Sequence, residues 1–318
     1  MRKTLTGLLA VLAMGLGTLS LHAEPLAYPH KVVTLVTHSS PGGGSDVFLR
    51  ELTKYLGKYI GATFIVENVQ GGSGAKAVAR VAGAPADGSV FYATTPTYIY
   101  TSLLSKPSAT YKDLEPLVNL FADSEVIYTR TDGPFNTLQD VIDKAKKERG
   151  RWGAANPASL ERQAAEQLKR AAGVNAAIVT HEGGGDMMLN VMNGTLDIGI
   201  GEIQELRSQL AAGTIRLLAT FNPERIPEKP DVPTVRESGY DVSLVKFRGL
   251  AGPKGLPEDV TKVWDVAIKN VLADPDYKKR YMEEVLVPNF IPHAQYQAFI
   301  TNFADTTEAF LKETGAVK

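Results

Sequence analysis

From residue 31 onward, short β-branched apolar runs alternate with longer stretches in which apolar side chains recur every three or four positions. The first pattern predicts buried strands and the second predicts amphipathic helices. Residues Lys31–Thr37, Thr63–Asn68 and Val90–Thr94 therefore read as strands, with helices at Asp46–Ile60 and Ala75–Ala82 and a turn at Ala86-Asp87-Gly88. The rhythm resumes with helix Leu138–Glu148, strand Arg151–Ala155, helix Leu160–Ala172 and strand Ala176–Thr180. Helix Met187–Met192, strand Leu196–Ile200, helix Ile203–Ala212 and strand Ile215–Thr220 follow, and two helices near 258–273 and 294–313 finish the chain. Strand and helix in strict alternation specify an α/β fold with open, mostly parallel sheets and helices on both faces.

The length of 318 residues accommodates two such sheets. The segments Phe121–Tyr128 and Leu244–Leu250 read as connecting strands. The expected organisation is a first lobe over 24–124, a second lobe over 125–246, and a return to the first lobe over 247–318. Residues 1–23 stand outside the fold. Arg2 and Lys3 precede the apolar run Leu5–Leu19, and Leu21-His22-Ala23 offers a small residue before Glu24. That is the layout of a secretory signal peptide cleaved after Ala23, and the run is short for a spanning helix. The predicted destination is the periplasm.

Composition narrows the chemistry. Basic and acidic residues are nearly balanced, 34 against 35, so no strong positive field points to nucleic acid. The chain has no cysteine, which excludes disulfides, thiolate metal sites and a catalytic thiol.

The most informative stretch is Thr37-His38-Ser39-Ser40-Pro41-Gly42-Gly43-Gly44-Ser45-Asp46, where a strand ends in three glycines and restarts as a helix. Glycines leave backbone N–H groups uncovered, and a helix start carries partial positive charge, so this geometry suits an anion. His181-Glu182-Gly183-Gly184-Gly185-Asp186 repeats the arrangement after a second strand. In open α/β sheets, ligands bind beyond the carboxyl ends of strands. Two facing lobes would then direct both turns into one cleft, matched to an anion with two separated carboxylates. Asp46 and Asp186, beside the helix starts, read as caps for free N–H groups. Glu202 reads either as a cleft residue or as a helix cap. His38 and His181 are candidates for pH-dependent contacts or for backbone-bonded loop residues. Tyr98 and Tyr100 read as packing residues.

Catalytic signatures are absent. The sequence holds neither G-x-S-x-G nor G-x-x-x-x-G-K-[ST]. No two of His30, His38, His181 and His293 have the spacing of metal ligands. Gly72-Ser73-Gly74-Ala75-Lys76-Ala77 matches G-x-G-x-x-A but lacks the acid expected about twenty residues later. The expectation is a binding protein without cofactor or metal, not an enzyme.

Taken together, these residues resemble the periplasmic receptors of tripartite tricarboxylate transporters, the Bug family. The resemblance runs from Tyr28-Pro29 through Pro41–Asp46, Val66-Glu67-Asn68, Gly71–Gly74 and Ala86-Asp87-Gly88. It continues through Gly183–Gly185, Asn193–Asp197, Ala211–Arg216, Asp231-Val232-Pro233-Thr234 and Phe247-Arg248-Gly249. It implies a two-lobed, type 2 periplasmic-binding-protein fold that closes over a small organic anion and delivers it to integral-membrane permease subunits. By resemblance, the ligand-holding loops map onto Ser39, Ser40, Gly42, Gly43, Gly44 and Ser45, with Asp46 beside them, and onto His181, Gly183 and Gly184. Thr94, Thr95, Asn156 and Ser159 would add side-chain contacts. Arg248 falls where the chain crosses between lobes, and would either pair with a ligand carboxylate or act as a hinge residue. The chain departs from many relatives at His38-Ser39 and at Asn156–Ser159, both on ligand loops. The expected ligand is a di- or tricarboxylate, with an aromatic carboxylate as the alternative class. A sensor protein rather than a permease is the alternative docking partner.

Overall fold

The computed structural model describes residues 24–317, so the expected signal segment at 1–23 lies outside the described residues. The chain forms two open sheets. The first contains β1 (Val32–Thr37), β2 (Thr63–Asn68), β3 (Val90–Thr94), β4 (Leu114–Asp123), β10 (Lys246–Pro253) and β11 (Val287–Ile291), in the order β11-β4-β10-β3-β1-β2. The second contains β5 (Glu125–Arg130), β6 (Gly150–Ala154), β7 (Ala176–Thr180), β8 (Ile198–Glu202) and β9 (Ile215–Thr220), in the order β7-β6-β8-β5-β9.

Both sheets are mixed rather than mostly parallel. The strand–helix–strand units pair in parallel, β1 with β2 and β3, and β6 with β7 and β8. The strands that carry the chain between the sheets run against them: β10 is antiparallel to β3 and β4, and β5 is antiparallel to β8 and β9. The chain leaves the first sheet at Asp123, enters the second at Glu125 and returns at Lys246.

Helices cover both faces of each sheet. In α1 (Gly44–Leu56), Phe48, Leu49, Leu52 and Leu56 fall on one stripe and are buried against the first sheet. Trp264 of α8 (Glu258–Ala273) and Tyr277 of α9 (Pro275–Glu283) complete that core. The other face is covered by α2 (Ala75–Ala82), α3 (Pro96–Ser105) and α10 (His293–Glu313) through Val78, Val81, Tyr98, Tyr296 and Ile300. Tyr98 and Tyr100 are buried, as their packing role requires. On the second sheet, α4 (Leu138–Lys147) and α5 (Leu160–Ala172) cover one face, while α6 (Gly184–Met192) and α7 (Ile203–Ala211) cover the other. The parallel strands bring the ends of β1, β3, β6 and β7 to the edge where the two sheets face each other.

Candidate functional site

Helices α1 and α6 begin without a side-chain cap. Gly43 precedes α1 and Gly183 precedes α6, and neither has a side chain to accept from the first-turn amides. A helix start left this way must find acceptors elsewhere. The two starts meet across the interface between the sheets. A Cβ on Gly183 would lie 2.8 Å from the Ser40 amide nitrogen, and one on Gly185 would lie 3.0 Å from the Pro41 carbonyl oxygen. The glycines thus allow the two turns to pack backbone against backbone.

One acceptor is supplied by the chain itself. The Gly44 N–H donates to Glu205 Oε2 at 2.9 Å, from α7 of the opposite sheet. Glu205 also accepts from the Glu202 N–H at 3.3 Å, which caps α7. Between the turns lies a cavity of about 20 Å³, lined by His38, Ser39, Ser45, Asn156, Glu161 and Glu202, among others. That is room for about one water. As the two turns stand, the space between them is too small for an organic molecule.

Beneath the cavity sits a buried ionic cluster. Asp123, Glu125, Glu161, Glu202 and Glu205 surround two cations, Lys246 and Arg248, and all are buried. The Lys246 ammonium lies 3.1 Å from Glu125 and 2.7 Å from Glu161, and also pairs with Glu202. Oxygens of Glu125, Glu161 and Glu202 converge within 4.8 Å of one another, and the Lys246 ammonium is the cation they hold. The Arg248 guanidinium donates to Asp123 at 2.5 Å and to the Ser45 hydroxyl at 3.3 Å, and lies 3.0 Å from Glu202. Arg248 is therefore committed to the chain's own carboxylates at the crossing strands.

Five carboxylates and two cations cannot all be charged at low cost. Burial pushes Glu125 and Glu205 well above the usual carboxylate range. For Glu202, burial also acts upward, but Lys246 and Arg248 outweigh it and hold it at about 2. The signs give opposite pH windows. The Glu202 contribution to stability is fully present above its unfolded value of 4.5 and is lost as pH falls toward about 2. The contributions of Glu125 and Glu205 are fully present below 4.5 and fade as pH rises through their raised folded values. Glu205→Gln should therefore flatten the decline in melting temperature between roughly pH 5 and 8. Wild-type and variant curves that run parallel across this range would contradict that assignment.

The structure brings together His38, Ser39, Gly44, Ser45, Asn156, Gly183, Gly184 and Glu202 at the cavity. Ser40 and Gly43 belong to the contact between the turns. Most of the other expected residues have structural partners. Asp46 accepts from the Gly42 N–H ahead of α1 and from the Arg50 and Asn68 side chains, so it braces the glycine turn rather than capping an α1 amide as expected. The Thr94 hydroxyl is bonded to Tyr296 at 2.7 Å, and Ser159 caps α5. Thr95 immediately precedes α3, and its buried hydroxyl has no partner. His181 pairs with Asn190 of α6 and does not line the cavity. His38 does line it, sharing a 2.7 Å hydrogen bond with Tyr92. Burial, followed by the fields of Lys246 and Arg248, lowers His38 to about 3, so it stays neutral and is no switch near neutral pH. Sequence reasoning missed Glu161, Glu205 and Lys246.

A second, larger cavity of about 530 Å³ lies on the other side of Lys246, walled by Phe247, Phe299, Phe303 and Phe310.

The comparisons with known proteins agree with this geometry. The sequence model described as "Tripartite tricarboxylate transporter family receptor" matches residues 48–316. The "UPF0065 protein in gbd 5'region" of Cupriavidus necator is 26% identical, covering 97% of this chain and 95% of that one. The structure of the periplasmic binding protein BugD superposes with a TM-score of 0.85 at 24% identity, covering 92% of this chain and 100% of that one. An R. palustris protein solved with adipate gives a TM-score of 0.85 at 23% identity, covering 91% and 98%. With a two-sheet fold, two opposed glycine turns and a family match across most of its length, the chain belongs to the tripartite tricarboxylate transporter receptors of the Bug type, a family of solute-binding proteins rather than enzymes.

Proposed function

We propose that this chain is exported to the periplasm, captures a small organic carboxylate of the di- or tricarboxylate class, and presents it to integral-membrane permease subunits. The ligand would lie between a lobe formed by residues 24–124 with 247–318 and a lobe formed by 125–246. The observation that carries this reading is the meeting of two helix starts that lack a local side-chain cap, at Gly43-Gly44, where Glu205 now holds the Gly44 amide, and at Gly183-Gly184, across one interface. Backbone amides at such starts are ready-made carboxylate donors. Ser39, Ser45 and Asn156 would add side-chain hydrogen bonds from the cavity wall. The adipate in a solved structural neighbour supports the ligand class.

A thermal-shift series tests the proposal, with aliphatic di- and tricarboxylates, aromatic carboxylates, amino acids and neutral sugars. A ligand at about 100 times its Kd adds ~2.7 kcal/mol, a readily measured shift. Stabilisation by carboxylates alone is the expected result. Stabilisation only by neutral compounds would reject the anion reading of both turns.

A further inference from the structure

We propose that the groove between α5 and α10 is a second ligand site, for a fatty acid whose tail lies among phenylalanines and whose carboxylate meets Arg170. The site is separate from the glycine turns and does not rest on the reading of them.

One face of each helix builds the groove. On α10, Phe299, Phe303 and Phe310 are four and seven residues apart, so they lie on one stripe, and all three are only half-buried. On α5, Leu160, Gln167 and Arg170 follow the same period on the opposite wall. Helix α5 packs on the second sheet and α10 on the first, so the walls come from both. Two cavities open along this line. One is the space of about 530 Å³ beside Lys246, and the other, of about 360 Å³, reaches Thr314 and Ala316 past the end of α10. They share Gln167 and Phe310, and each has the size of a small-molecule site. From Phe299 to Phe310 the helix runs about 17 Å, which suits an extended chain.

The two cavities differ in charge. In the larger, Lys246 is the only ionic residue, and its ammonium is held by Glu125, Glu161 and Glu202. The other polar groups there, among them Gln167, Ser243 and Asn289, are uncharged. In the smaller, Arg162 and Arg170 stand against Glu166. Glu166 is already matched, at 3.3 Å from Arg162 and 3.8 Å from Lys169. Arg170 is exposed and pairs with no carboxylate among the described residues. In the last turn of α5 it suits the helix dipole, and it also lines the cavity.

The groove therefore runs from an aromatic chamber without a free charge to an exposed cation. That polarity fits an amphiphile with one anionic head. A neutral hydrocarbon gains nothing from Arg170. A dicarboxylate would put its second charge among the phenylalanines without a partner, and a cationic head would meet Arg170 as a like charge.

The test is calorimetric titration of the protein, below micellar concentrations, with hexanoate, decanoate, decanol and decylammonium, and separately with phosphatidylglycerol vesicles. Decanoate is expected to bind at least tenfold tighter than hexanoate, because each buried methylene is worth about fourfold. It should also bind at least tenfold tighter than decanol. Equal affinity for decanol, tighter binding of decylammonium, or no binding of decanoate would each overturn the proposal. Binding of the vesicles alone would make the groove a membrane contact and overturn it as well. Arg170→Gln should weaken decanoate at least fivefold and leave decanol unchanged. Thr306→Trp, at an exposed position on the rim of the larger cavity, fills that cavity from outside and should weaken both at least tenfold. Unchanged decanoate affinity in either variant would place the fatty acid elsewhere and overturn the proposal.

Discussion

Replacing Lys246 with glutamine should destabilise the protein by about 3–5 kcal/mol at neutral pH, the cost of removing one partner from a buried ion pair. Glutamine keeps most of the side-chain length and two N–H donors, so the loss is chiefly one of charge. Three buried carboxylates, Glu125, Glu161 and Glu202, would lose the ammonium that now lies among them. Arg248 cannot replace it, because its guanidinium is held by Asp123 and Ser45. The carboxylates would instead take up protons, so the penalty should shrink as pH falls. Urea unfolding at about pH 7 and pH 4 measures this directly, and the deficit should be clearly smaller in acid. A variant within about 1 kcal/mol of wild type at neutral pH would show that the cluster does not depend on this cation.

Much of the fold was legible because the apolar period is regular where helices present one stripe to a sheet. Ala75–Ala82 and Val90–Thr94 are found where periodicity placed them. Helix α3 was not legible, for a physical reason. Its residues Pro96 to Ser102 are all buried, so no polar face marks a helical period, and its Tyr and Thr content resembles a strand. Proline at the first helical position was the available signal. Strand β11 was missed because its half-exposed Val-Pro-Asn-Phe-Ile sequence has neither a clean alternation nor a continuous apolar run. The segment Phe121–Tyr128 reads as one strand but breaks at Ser124, where Asp123 accepts the Ser124 amide and the chain changes sheets.

The two glycine turns of the candidate site were legible because glycine leaves backbone amides exposed at a helix start. The floor beneath them was not. Glu161 and Glu205 each occupy the first turn of a helix, where acids are common for local reasons. Only the folding of three separate acidic segments onto Lys246 and Arg248 gives them a shared role. A faint signal did exist. Asp123 and Glu125 stand two residues apart in an apolar strand context, as do Lys246 and Arg248. Opposite charges with strand period at both crossings mark the place where the lobes join.

That joining makes Gly183 a direct test of the proposed closure. Its φ of 176° is extended backbone open to any residue, so alanine there adds no backbone strain. What alanine adds is a methyl group 2.8 Å from the Ser40 amide nitrogen, on the turn of the other sheet. The methyl also meets the Ser40 hydroxyl, which can rotate away, but the nitrogen is fixed by the backbone. The clash exists only when the two turns are together. Gly183→Ala should therefore leave the melting temperature of the unliganded protein nearly unchanged while opposing closure. Overpacking of this kind costs about 1–3 kcal/mol, which corresponds to a roughly 5- to 150-fold loss of affinity. Calorimetry would read the affinity, and small-angle scattering would read the loss of ligand-induced compaction. Ser40→Ala in the same chain removes the hydroxyl but not the nitrogen, so it should restore only part of the lost affinity. Full restoration would place the obstacle at the hydroxyl, and unchanged affinity in Gly183→Ala would mean that the liganded lobes do not close to the contact seen here.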